Sequence, residues 1–88
     1  MKMPQLNSPD DLYQYITQTI HILEERGFPH AAEQMERVQG TFYTTGSEWL
    51  GDLGKTVREI ETEHSITDDI QARLNLIMTY VGETWPKL

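Results

Sequence analysis

The sequence predicts an all-α protein, a small antiparallel four-helix bundle. Apolar residues recur at steps of three and four through four successive segments. Capping residues, glycines and prolines punctuate those segments where helices start and stop. No two stretches alternate polar and apolar residues in a way that could pair as strands. At 88 residues and 38% hydrophobic content the chain forms one domain, residues 1–88, with a modest core.

The first helix is expected at 9–26. Ser8 can cap it, Pro9 suits the first helical position, and Asp10 and Asp11 sit where carboxylates favour the positive helix end. Leu12, Ile16, Ile20 and Leu23 form its stripe, and Arg26-Gly27 closes it. Residues 1–7 carry no such pattern and read as a flexible segment. The second helix, 29–39, opens on Pro29, places Phe28, Ala32, Met35 and Val38 on one face, and ends at Gly40. A linker, TFYTT, is expected as a loop carrying aromatic side chains.

The third helix, 46–63, begins with a capping-box spacing between Thr45 and Glu48. Leu50, Leu53, Val57, Ile60 and His64 keep the register of a buried seam. The fourth helix, 67–84, has Asp68 and Asp69 in its first turn and a stripe of Ile66, Ile70, Leu74, Ile77 and Val81. Leu76, Met78 and Tyr80 widen that stripe, so this helix is expected to be the most buried. Pro86 is the stop.

Composition excludes several functions. With no cysteine there is no disulfide, thiolate metal site or cysteine nucleophile, which fits a cytoplasmic setting. No secretion signal and no membrane span is evident. Fourteen acidic against seven basic residues leave a charge of −7, which repels nucleic acid and anionic membranes and suits a basic protein partner.

The run GDLGKT at 51–56 ends as a phosphate-binding loop does. That loop needs its first glycine at position 49, where Trp49 stands, and Asp52 would oppose the phosphates. Leu50, Leu53 and Val57 hold helical register straight through it, so it reads as mid-helix sequence. Ser47, Gly51 and Gly54 then form a small-residue stripe that lets another helix come close, in the same chain or in a second copy. Glu61-x-x-His64 matches half of a di-iron bundle motif, and His21-x-x-Glu24 is its reverse. No catalytic, cofactor or metal residue is assigned on that basis. Phe42, Tyr43 and Trp49 are candidate interaction aromatics, joined by the carboxylates Asp52, Glu59 and Glu63. The competing expectation is that Phe42 and Trp49 fold inward over the loop.

The pairing of ERGFPHAAEQM with TTGSEWLGDLG resembles short, all-helical bacterial proteins of unknown function, with a GF-x-x-A-A turn and helix followed by a T-G-S-E-x-L-G cap and helix. That resemblance implies a helical bundle and no activity. Size and charge also resemble the acidic four-helix immunity proteins that neutralise nuclease bacteriocins, although the paired tyrosines before a proline are missing here. The expected function is therefore a non-enzymatic protein-interaction module of inhibitor, immunity or adaptor type. The alternatives are a homodimer packed through the Gly51/Gly54 stripe and a carboxylate/histidine metal enzyme.

Overall fold

The computed structural model describes residues 6–41 and 45–84. Four helices follow one another: α1 (Pro9–Glu25), α2 (Pro29–Gly40), α3 (Gly46–Glu63) and α4 (Asp68–Thr84), with no strand among the described residues. All four bounds agree with the expected ones to within a residue at each end. The expected aromatic loop falls on 42–44 and the Pro86 stop beyond 84, both outside the described residues. Of the expected flexible segment, residues 6 and 7 are described. Leu6 packs partly against the core, and the Asn7 N–H donates to Asp11 Oδ2 at 3.1 Å.

Local chemistry places the ends. Ser8 Oγ accepts from the Asp11 N–H at 3.2 Å, and Thr45 Oγ1 accepts from the Glu48 N–H at the same distance. Each satisfies one amide that the first helical turn leaves without a partner. At the end of α1 the Phe28 N–H reaches Leu23 O at 2.8 Å and the Gly27 N–H reaches Glu24 O at 3.3 Å. That pair of bonds is a Schellman motif and needs a left-handed residue, which Gly27 supplies at φ +84°. Pro29 then restarts the chain as α2 with no side-chain cap.

The helices pack as a closed ring. α1 packs beside α2 and α4, α3 packs beside α2 and α4, and the backbones of the diagonal pairs stay apart. The links 26–28, 41–45 and 64–67 are too short to run back along a helix, so sequential neighbours are antiparallel. Each helix turns its stripe to the centre. Leu12, Ile16 and Leu23, Met35, Leu53, Val57 and Ile60, and Ile70, Leu74 and Ile77 are all fully buried there.

One expectation fails. α4 is not the most buried helix: it contributes four buried residues against six from α1. Leu76, Met78 and Tyr80 widen the stripe as expected but are only half-covered.

Polar bonds tie each side of the ring. Between α1 and α2, Gln39 Nε2 donates to Tyr13 O at 3.1 Å and to Thr17 Oγ1 at 2.6 Å. Between α3 and α4, Gln71 Nε2 donates to Glu61 Oε2 at 2.6 Å. The α1–α4 side is the most elaborate. The guanidinium of Arg73 lies 4.0 Å from the centre of the Tyr15 ring. Its Nε donates to Thr19 Oγ1 at 2.9 Å, and one terminal nitrogen reaches Tyr15 O and Gln18 Oε1 at 3.4 and 3.3 Å. Thr19 is fully buried and itself donates to Tyr15 O at 2.8 Å. Burial pushes the Tyr15 hydroxyl pKa up, and the positive charge of Arg73 works against that rise.

Thr19→Val removes the acceptor under Arg73 while keeping the side-chain shape. It should cost about 1–3 kcal/mol, the desolvation of a polar group that loses its partner, measured as a lower urea midpoint with an unchanged slope.

The same side of the ring ends in an ion pair, Arg26 to Asp69 at 2.7 Å. A side-chain hydrogen bond from Thr67 does most to hold the Asp69 carboxyl below the usual carboxylate range; desolvation works against it, and the charge of Arg26 adds to the lowering. A lowered folded pKa means that the unfolded chain binds more protons in that window, so stability rises with pH there. The contribution is present above the unfolded value of about 3.9 and disappears as pH falls through the folded one. Asp69→Asn should flatten the acid limb of a stability–pH curve, with little change in shape above about pH 5.

Candidate functional site

The 51–56 run lies inside α3, in unbroken helix. It is no phosphate loop, and its glycines answer a packing question instead. Gly54 is buried against α4, where an added Cβ would stand 3.7 Å from Val81 Cγ1 and 3.8 Å from Met78 Cε. The helix that comes close to the small-residue stripe therefore belongs to the same chain. Ser47 and Gly51, the other members of that stripe, are half-buried.

The contact is incomplete. Beside Gly54 a groove of about 430 Å³ opens between α3 and α4, lined by Leu50, Gly51, Gly54, Lys55 and Arg58 and, across from them, Met78, Val81 and Gly82. Leu50 and Val81 are buried, Met78 and Gly51 half-buried, and Lys55, Arg58 and Gly82 exposed. The groove thus has an apolar floor and two cations on the α3 rim. Sequence reading named both α3 glycines but missed the groove. Gly82 and Met78 lie about 30 residues further along the chain, and only the return of α4 brings them opposite.

The solvent side of α3, which meets the groove at Lys55, carries the candidate carboxylates. Asp52, Glu59 and Glu63 are separated by seven and four residues, so they stand in one row, and Glu48 joins it one turn earlier. Glu48, Asp52 and Glu63 are exposed and Glu59 is half-buried. Trp49 leaves this row. It shares a side of the helix with the buried Leu53, Thr56 and Ile60, and packs partly against the core. The inward expectation holds for Trp49 in part, while Phe42 and Tyr43 lie outside the described residues.

The histidine motif resolves into structural bonds. The Glu61 carboxylate accepts from Gln71. His64 caps α3 and meets the Phe28 ring edge-on at 6.3 Å between centroids. Gln34 Nε2 donates to Glu63 Oε2 at 3.0 Å, which leaves Gln34 Oε1 to accept from His64 Nε2 at 3.1 Å. The proton on His64 Nε2 follows from that orientation. Among the described residues no three of His, Asp or Glu are grouped to hold a metal ion. No helix among them is long and apolar enough to cross a membrane.

Comparison with protein-family models, with curated protein sequences and with solved structures finds no match.

The two kinds of glycine separate experimentally. At Gly54 a methyl group meets only ordinary van der Waals neighbours, so Gly54→Ala should raise stability by about 1 kcal/mol, the helix-propensity gain. Gly27→Ala should lower it by about 1–2 kcal/mol, the cost of a left-handed L-residue. Paired chemical denaturation curves check both signs.

Proposed function

We propose that the chain is a non-enzymatic protein-interaction module of inhibitor, immunity or adaptor type, acting in a reducing compartment such as the cytoplasm. The exposed row of α3 is its contact face, and the partner surface is basic. One observation carries this reading. Glu48, Asp52, Glu59 and Glu63, four of the chain's fourteen carboxylates, follow one another along four turns of α3, with Lys55 between Asp52 and Glu59 as the one cation among them and Arg58 turned to the α4 side. Such a row steers a cationic partner over distances of a Debye length, about 10 Å at 0.1 M salt. Glu63 is held in place by Gln34 of α2, which reduces the ordering cost of its use.

The alternative, a homodimer through Ser47, Gly51 and Gly54, has less to stand on, because α4 covers Gly54 within the chain. Light scattering separates the two: a monomer at high protein concentration is expected.

The partner test is retention from an extract of the protein's own cells on the immobilised chain. A partner should be held at low salt and released as ionic strength rises. The double variant Asp52→Asn, Glu59→Gln should retain several-fold less. Capture of nothing at low salt, or equal retention by the variant, would overturn the reading.

A further inference from the structure

We propose that the groove between α3 and α4 binds a small amphiphile, a free alkyl carboxylate with a tail of medium length. This goes beyond the acidic contact face and uses the other flank of α3.

The first argument is that the groove's emptiness is not a packing necessity. Three of its eight lining residues are glycines within helices. A Cβ on Gly54 would make only ordinary contacts, and one on Gly82 would meet nothing within 4 Å. Alanine would fit at both positions and would favour the helix by about 1 kcal/mol at each. Those glycines leave vacant a space that side chains could fill without strain.

The second is the chemistry of the walls. Leu50, Met78 and Val81 supply an apolar floor. The thioether of Met78 is unbranched and adapts to an irregular guest. Lys55 and Arg58 stand along the same edge, exposed. Elsewhere Arg26 is paired with Asp69, and Arg73 is committed to Tyr15 and Thr19. Neither the ammonium of Lys55 nor the guanidinium of Arg58 has a hydrogen-bonding or ion-pair partner among the described residues. On a chain of charge −7, two uncommitted cations beside this apolar groove make a local site for an anionic head. Asp52 and Glu59 flank Lys55 at three and four residues in its own row and temper its potential, so the head must sit on the α4 side, toward Arg58.

Scale decides between a small molecule and a protein. The groove runs from Leu50 to Arg58, about 12 Å along α3 at 1.5 Å per residue, and little more than one turn along α4. A specific protein interface draws on roughly 20–30 residues a side. Ligand pockets of about 300–1,000 Å³ bracket the observed volume, and 12 Å suits an alkyl tail of medium length lying lengthwise.

The test titrates the full chain with sodium decanoate below its micelle concentration while amide chemical shifts are recorded. Saturable shifts centred on Leu50, Gly51, Gly54, Met78, Val81 and Gly82 are expected. Lys55→Gln with Arg58→Gln should weaken binding at least tenfold. Decyltrimethylammonium, with the same tail and the opposite head, should bind at least tenfold more weakly than decanoate. Gly82→Leu should block the groove, and it keeps the test open if Gly54→Leu fails to fold. Shifts scattered over the molecule, equal binding of the cationic amphiphile, or unchanged affinity in the double variant would overturn the proposal. So would a concentration-dependent dimer that Gly82→Leu abolishes, since a second copy would then be the occupant. The variants Asp52→Asn and Glu59→Gln leave this groove intact, so its failure and that of the acidic contact face are read separately.

Discussion

Everything in this structure depends on α4 closing back onto α1. Each helix has an apolar stripe wide enough to need two neighbours, and the α1 and α3 backbones do not approach each other closely. With α2 alone between them, both stripes would stand half-exposed to water. α4 covers both at once through Ile70, Leu74, Ile77 and Val81. At about 25 cal/mol per Å² of apolar surface removed from water, that closure stabilises α1 and α3 together.

Closure also explains why Arg73 is built as it is. A guanidinium between two helices loses water, and here no carboxylate neutralises it among its described partners. It gives its hydrogen bonds to Thr19, to a backbone oxygen and to Gln18, and lays its face on Tyr15. Neutral acceptors and a ring face satisfy a cation without burying a second charge, which avoids the desolvation of an ion pair. The partners lie 54 to 58 residues away in sequence, so the clamp forms only when the ring is complete. It links the two ends of the fold in a way that generic apolar packing would not, and it fixes the sliding register of α4 against α1.

The same packing divides α3 into three working sides. Leu50, Leu53, Val57 and Ile60 are spent on the core. One flank lets α4 approach at Gly54 and leaves the groove with Lys55 and Arg58 on its edge. The outward flank keeps the carboxylates. Lys55 stands where the two sides meet, between Asp52 and Glu59 and on the rim of the groove, so the carboxylate row and the groove share an edge. Alanine at 54 or 82 would trade part of that groove for stability.

Helix positions, caps and the identity of the core were legible in the sequence because they rest on local rules. Ser8, Gly27 and Thr45 act through backbone groups within a few residues, and the 3.6-residue period marks each buried stripe. The structural role of GDLGKT was legible too, since Leu50, Leu53 and Val57 carry helical register through it. Tertiary structure alone decided what depends on which helix arrives where. It set α4 rather than a second copy against Gly54, opened the groove by placing Met78 and Gly82 across from Lys55, buried Tyr15 while leaving Tyr13 exposed, and gave α4 fewer buried residues than its composition suggests. A helix's own sequence says which side is apolar, whereas the number of neighbours covering that side is a property of the ring.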